Sequence, residues 1–354
     1  MKVLFVSSPQ SVYGNKTNPF VSSLIQGLRD YGHIEVDCNL DSFWNNYNSY
    51  DLIYFQWPES IFNWNIEAID LNKLFLHINR IKKDGIKMVI TCHNLQPHSG
   101  NAKTKQLYDL VYSKIDAFHH LGHYSYQVMK NKYPDAYHFI APHHIADYYF
   151  EQSNSSDAKS KLSIPINSIV IASFGAFRNS GEKQLFLSMV DDINIPNVRY
   201  LAPRLMVYDK TYINWIFVYI KQWLFCHSKK IKITGFLEEK ELKLWLSASD
   251  IVFIQRKEIL NSGNLPIAYA AGKVVVGPDV GNVGEILKET GNFVFDPNDR
   301  DSVKSAVIKA IDTIKKGDGL GYSNQQYAKT NWNVSLISKN ISNNLEQLRR
   351  SQKF

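Results

Sequence analysis

The sequence predicts an α/β chain of two similar halves, each a parallel sheet covered by helices on both faces. Three observations lead there. A length of 354 residues, at about 150 residues per domain, corresponds to two domains rather than one. Short apolar runs, as expected of strands buried on both faces, alternate with stretches of helical periodicity along most of the chain. A Ser- and Asn-rich stretch at 151–157 interrupts that alternation, which then restarts.

In order, the run 3–6 reads as the first strand and 19–31 as the first helix. Phe20, Val21, Leu24, Ile25 and Leu28 recur on one helical face. Asn18 suits the N-cap, Pro19 the first helical position and Gly32 the C-terminal cap. Further strands read at 34–38, 52–55, 88–91, 117–121 and 137–140, most of them separated by helical stretches. The 151–157 stretch sets the division, so that 1–155 form one domain and 156–334 the next. The second domain repeats the alternation, with strands at 169–173, 198–201, 231–233, 251–254, 274–276 and 293–295 and a helical tail from about Asp301. Strand–helix alternation argues for parallel pairing. Ligands of open α/β sheets sit beyond the carboxyl ends of the strands, so two such sheets imply a ligand for each and a cleft between them.

Composition narrows the class. Hydrophobic residues at 44% and charged residues at 21% exclude a disordered chain. The longest apolar run, around 216–220, falls far short of the ~20 residues that span a bilayer. The run 3–6 is too short for the apolar region of a signal peptide. The three cysteines, Cys38, Cys92 and Cys226, are odd in number and far apart, which suits a reduced, cytoplasmic setting. In that setting the sequons at Asn15, Asn154, Asn333 and Asn340 are chance matches. A net charge of +7 with 13% aromatics suits an anionic partner: nucleic acid, anionic lipid or a phosphate-bearing small molecule.

The motifs choose among these. Phe174-Gly175-Ala176-Phe177-Arg178, then Gly181-Glu182-Lys183, place a glycine turn between a strand and a helix. The free N–H groups of such a helix end favour an anion, and Arg178 and Lys183 can reach a diphosphate. Ser262-Gly263-Asn264, ahead of Leu265-Pro266, offers a second cradle of amides. In the first half, Gln56-Trp57-Pro58-Glu59, Thr91-Cys92-His93-Asn94-Leu95-Gln96-Pro97-His98 and Pro142-His143-His144 each follow a strand. His93 and His98 have no Cys or carboxylate at ligand spacing, so no metal site is expected. Neither a P-loop nor a strand-following G-x-G-x-x-G occurs, which argues against an NTPase or an NAD enzyme.

Ile233-Thr234-Gly235-Phe236-Leu237, Glu241-Leu242, Trp245-Leu246, Ala248-Ser249-Asp250, the turn 261–266, Ala270-Ala271-Gly272-Lys273-Val274-Val275 and Pro278-Asp279-Val280-Gly281 come in a characteristic succession, ending at Glu285. It resembles the donor-binding half of GT-B glycosyltransferases of the retaining group 1, or GT4-like, family. The first-half landmarks are similar to those of GT-B enzymes of polysaccharide synthesis that carry an S-G-x-L turn, here Ser262-Gly263-Asn264-Leu265. The resemblance runs from Lys2 to Val334. It implies two Rossmann-like domains facing across a cleft, with a last helix, about 335–351, crossing back to the first. It implies transfer of a sugar from a nucleotide-diphosphate donor to a hydroxyl of a glycan or lipid-linked acceptor, with no metal and no cofactor. Donor contacts would come from Arg178, Lys183, Gly175, Gly235, Asn261, Ser262, Gly263, Asn264 and Leu265. His93, His98 and Glu59 are the candidate catalytic groups, and Asn18 lies on the acceptor side.

The chain departs from the family at Asn261 and Tyr269, where the family has a Glu, seven residues, and a second Glu that meet the sugar and the ribose. Donor identity and retention of configuration stay open for that reason. So do two other readings, a nucleotide-sugar epimerase of the same fold and a non-catalytic sugar-nucleotide-binding protein. In 208–230, Tyr212, Trp215, Ile216, Tyr219, Trp223 and Phe225 interleave with Lys210, Lys221, Lys229 and Lys230. This stretch is either a core-packed helix or an interfacial one lying on anionic lipid. The second reading puts the protein at the cytoplasmic face of the inner membrane, with that membrane surface and not nucleic acid as its large partner.

Overall fold

The structure is a computed structural model that describes residues 1–13, 19–97, 101–151, 153–206 and 215–351. Two compact units emerge, one of Met1–Ala146 with Asn331–Phe354 and one of Asp147–Thr330.

The first unit holds β1 (Lys2–Phe5), β2 (Glu35–Cys38), β3 (Leu52–Phe55), β4 (Lys87–Thr91), β5 (Ala117–His120) and β6 (Tyr137–Ile140). They form one parallel sheet in the order β2-β1-β3-β4-β5-β6. All four residues of β3 are buried, as a central strand with helices on both faces requires. Leu24, Ile25 and Leu28 of the helix Pro19–Asp30 pack onto Val3, Phe5 and Tyr54. The last helix, Val334–Arg350, closes this core with Ile337, Ile341 and Leu345. A Cβ at Gly27 would stand 2.4 Å from Ser338 Oγ, so glycine permits the close approach of these two helices. Ser342 Oγ donates to the Gly32 carbonyl at 2.7 Å and fixes the register.

The second unit holds β7 (Ile169–Ala172), β8 (Val198–Leu201), β9 (Ile231–Lys232), β10 (Ile251–Phe253), β11 (Val274–Pro278) and β12 (Phe293–Phe295). Their order is β12-β11-β10-β7-β8-β9, again all parallel. Every strand read from the sequence is present, with ends displaced by two residues at most. One stretch differs. Part of the Ser- and Asn-rich segment is a helix, Ser155–Lys161, whose cap Asn154 accepts from the amides of Ser156 and Asp157. Asn and Ser serve helix caps as readily as linkers, and the units divide earlier, between Ala146 and Asp147.

Candidate functional site

In the second unit, β7 runs out into the turn 174–178 and then the helix Ser180–Asp192. Beside it β10 continues through buried Gln255 and Arg256. Ser173 Oγ donates to Gln255 Oε1 at 2.7 Å, Gln255 Nε2 to the Gly175 carbonyl at 2.9 Å, and Arg256 Nη1 to the Ala176 carbonyl at 2.7 Å. The glycine turn is thereby tied to the neighbouring strand end. A Cβ at Gly175 would lie 2.9 Å from Gln255 Nε2, 3.2 Å from Arg256 Nη2 and 3.2 Å from Asn264 Nδ2. Three donor nitrogens converge on this backbone, and a side chain would displace them. The glycine turn and the 262–264 turn meet at this point.

Glu182 is 3% exposed and forms an ion pair with Arg256, itself 8% exposed. Its carboxylate also accepts the Arg178 amide at 2.8 Å, while Asn179 Oδ1 accepts the Glu182 amide at 2.9 Å. This reciprocal closure takes one amide of the helix's first turn, that of Glu182, and the Arg178 amide just ahead of the helix, because Glu182 reaches back one turn. Positive charge beside the turn comes from guanidinium groups. Burial lowers the Arg256 pKa most; Arg178 and then Arg204 push it the same way, against Glu182. Arg178 and Arg204 thus both act on Arg256, against the single buried carboxylate of Glu182, and the formal balance of the four groups is positive. Among the described residues no carboxylate lies within ion-pair distance of Arg178, Arg204 or Lys183. Arg178 is exposed and Lys183 half-buried.

The other expected donor residues are placed as follows. Gly235 has φ +144° with open space where a Cβ would stand. The next residue, Phe236, is 56% exposed and carries the Arg204 guanidinium 5.6 Å from its ring centre. Ser262 Oγ accepts the Asn264 amide at 3.3 Å, and Gly263 has an ordinary helical φ of −64°. Leu265 is 2% exposed, so its side chain belongs to the core and only its backbone can face a ligand. Asn261 Oδ1 accepts from Asn282 Nδ2 at 2.7 Å. Tyr269 is fully buried, its hydroxyl bonded to Thr290 Oγ1 and Asn292 Nδ2. The position of the second family carboxylate therefore points into the unit's interior. Sequence reasoning passed over Gln255, Arg256 and Arg204. The signal for the first two was available: polar residues directly after the apolar run 251–254.

In the first unit, residues 56–59 follow β3 and 92–97 follow β4. His93 Nε2 donates to Gln56 Oε1 at 2.9 Å, and its ring stacks on Trp57 at 4.1 Å. Burial, with help from His143 and His119, holds its pKa well below the ordinary histidine value. Glu59, on the short helix Pro58–Phe62, accepts from Tyr108 Oη at 3.1 Å. Burial raises its carboxyl pKa, partly offset by that bond and a backbone one. Phe20 packs against His93, His143 and His144. His119 Nε2 faces the Ala141 carbonyl at 2.7 Å and so carries the hydrogen, which leaves Nδ1 to accept from Tyr54 Oη at 2.6 Å. Among the described residues no three His, Cys, Asp or Glu side chains group as metal ligands do. His98 and Asn18 lie outside the described residues.

The helix Trp215–Ser228 corrects the core-packed reading for its described part. Ile220, Trp223 and Leu224 are 47%, 45% and 55% exposed, and Phe225 is 39% exposed. The first three share a face by helical spacing, and the core contact of the described part is made by buried Cys226, at the edge of that face. Lys210 and Tyr212 lie outside the described residues, as do the side chains of Trp215, Ile216 and Tyr219. Among the described residues no helix is long and apolar enough to cross a membrane.

No family model and no curated protein sequence matches the chain. Solved structures do. Sucrose-phosphate synthase from Thermosynechococcus elongatus aligns over 98% of each chain with a TM-score of 0.73 at 13% identity. Anabaena HepE in complex with UDP-glucose aligns over 98% of this chain and 100% of its own, with a TM-score of 0.72 at 15% identity. A glycosyltransferase from Rickettsia africae aligns over 99% of each, with a TM-score of 0.70 at 11% identity. At these identities the likeness is one of fold: two parallel six-stranded α/β units in the GT-B arrangement of elements.

Proposed function

We propose that the protein transfers a sugar from a nucleotide-diphosphate donor to a hydroxyl of a carbohydrate acceptor, free or lipid-linked, in polysaccharide synthesis. The observation that carries this reading is the convergence of Gln255, Arg256 and Asn264 nitrogens on Gly175, beside Arg178, which has no carboxylate partner among the described residues. A pyrophosphate suits that set. Arg178, Arg204 and Lys183 supply charge, while Arg256, neutralised by Glu182, holds the turn in shape. As the sugar–phosphate bond breaks, negative charge grows on the departing diphosphate. Cations held in place beforehand stabilise it without reorganisation and take the part a metal ion plays elsewhere. The exposed Phe236 face with Arg204 over it offers the nucleobase a stacking partner. That fold neighbours were solved with UDP and UDP-glucose supports a uridine nucleotide.

Glu59 is the base of this proposal. It takes the proton of the acceptor hydroxyl while that oxygen bonds to the anomeric carbon and the diphosphate leaves. A carboxyl raised by burial is better matched to that task than an ordinary one. His93, kept neutral, donates a hydrogen bond rather than a charge. The exposed Ile220–Trp223–Leu224 face, with Lys221 beside it, supports a lipid-linked acceptor at an anionic membrane surface. One observation favours a different reading. The two family carboxylate positions are Asn261 and a buried Tyr269, which suits a protein that binds the nucleotide sugar without transferring it.

A thermal-shift panel tests the proposal. Nucleoside diphosphates and their sugars are expected to raise the melting temperature, by about 2.7 kcal/mol of stabilisation at a hundredfold excess over Kd. The free nucleosides are expected not to. No shift with any diphosphate removes the donor site. A shift without acceptor-dependent release of the nucleoside diphosphate selects the binding-only reading. Interconversion of sugars with no acceptor present selects the epimerase.

A further inference from the structure

Trp64 sits awkwardly for so large a residue. It follows the short helix Pro58–Phe62 and is 51% exposed. Asn63 and Trp64 both have left-handed backbones, with φ of 50° and 63°. Bulky side chains rarely adopt that conformation, and it persists only where the surroundings enforce it. Here they do. The Asn63 amide donates to the Ser60 carbonyl and the Trp64 amide to the Glu59 carbonyl, each at 3.0 Å. Ser60 is in turn anchored by its hydroxyl to the Val6 carbonyl at 2.7 Å, past the end of β1. The outcome is an indole held 5.7 Å from that of Trp57, which is half-buried and backed by the stacked His93 ring.

We propose that Trp57 and Trp64 form a stacking platform for a neutral pyranose ring, a saccharide subsite beside Glu59. The identification of that sugar as acceptor rests on the transferase reading above. A pyranose has an apolar C–H face and a rim of hydroxyls, and the exposed Trp64 indole, tilted 52° to the half-buried Trp57 ring and with polar groups at its edge, complements both. The polar groups are at hand. Glu59 belongs to the turn that positions Trp64. Gln56 accepts from His93, and its buried Nε2 finds no partner among the described residues. A nucleobase would also stack, but it brings phosphates. Between Gln56 and Asn72 the chain has Glu59, Glu67 and Asp70 and no Lys or Arg, and against these three carboxylates stands Lys103, which donates to the Glu67 carbonyl at 3.3 Å. The local charge therefore favours an uncharged sugar over a nucleotide.

The test uses the full-length protein, its Trp64→Ala and Trp64→Tyr variants, and neutral disaccharides of glucose and of N-acetylglucosamine, α- and β-1,4-linked. Saturable change in tryptophan emission is expected with at least one of them. Trp64→Ala is expected to weaken that binding by about tenfold or more, and Trp64→Tyr to restore it to within about threefold, as aromatic anchors do. UDP-induced stabilisation should be the same in all three proteins. Equal saccharide binding by Trp64→Ala overturns the platform. So does a panel with no response, or a response to UDP that depends on Trp64. If saccharides bind as expected and no nucleoside diphosphate stabilises the protein, the platform stands and the transferase reading falls. The converse result removes the platform alone.

Discussion

Arg178 and Arg256 bear the same charge near the same turn and do different work. Arg178 is exposed and has no carboxylate partner among the described residues. Its replacement by alanine should leave folding intact. It should lower nucleoside-diphosphate affinity and turnover by about tenfold or more, since a charge-assisted hydrogen bond contributes ~1.5–3 kcal/mol. Arg256 is buried against Glu182. Glu182→Ala strands a buried cation, a loss of about 3–5 kcal/mol, and frees the Arg178 amide as well. That variant should melt several degrees lower, whether or not ligand is present. Melting curves and a nucleoside-diphosphate titration of both variants check this. Wild-type affinity in Arg178→Ala would remove that residue from the site, and wild-type melting in Glu182→Ala would deny the pair its structural role. Only one of the two arginines was legible in the sequence. Arg178 follows a glycine turn, a local signal. Arg256 matters because β10 lies beside β7 although some eighty residues separate them, and no local pattern encodes that crossover.

Elements were more legible than contacts. Strands buried on both faces are short, continuously apolar runs, and β3 and β6 match their sequence readings residue for residue. The Trp215–Ser228 helix was less legible, because apolar residues occur all round it and periodicity cannot tell which face meets the core. Exposure decides it for Ile220, Trp223 and Leu224. An apolar face of that kind, with Lys221 on the same helix and Lys229 and Lys230 just beyond it, is the composition of an interfacial helix. The protein should co-sediment with anionic phospholipid vesicles and much less with neutral ones, at about 1 kcal/mol for each well-placed basic residue. Added salt should weaken the binding. A Trp223→Ser/Leu224→Ser variant should lose it at any salt concentration while keeping its response to nucleoside diphosphate. Unchanged sedimentation of that variant would assign the face to something other than lipid.

At the scale of the molecule the two units differ sharply in one respect: ten of the eleven histidines lie in 1–146 and only His227 in the second unit. Burial is the leading cause in every case of a sizeable shift. It lowers the pKa of His119 and His143 to about 4 and of His120 to about 3, and it lowers those of His77, His93, His138 and His144 as well. The sign follows from linkage. Above pH ~6.5 the imidazoles are neutral in both states and stability is at its full value. As pH falls below that, the unfolded chain binds protons that the folded unit refuses, so stability is lost progressively down to the depressed values. His119, 1% exposed, accounts for roughly 3 kcal/mol by itself. The other lowered histidines act in the same direction, in a domain held by about 5–15 kcal/mol in all. Glu59, raised by burial, acts in the opposite sense, but it is a single group. In the second unit the resolved carboxylate shift is that of Asp192, lowered by Arg300, and it matters only below the ordinary carboxylate range. The first unit should therefore unfold in mild acid while the second stays folded. Calorimetry between pH 7.5 and 4.5 should show one transition moving steeply downward below pH 6.5. A second should stay nearly fixed, and it should be the one that nucleoside diphosphate raises. Two transitions that descend together, or a first unit indifferent to pH across that window, would mean that the histidines are not buried as neutral groups in the folded chain.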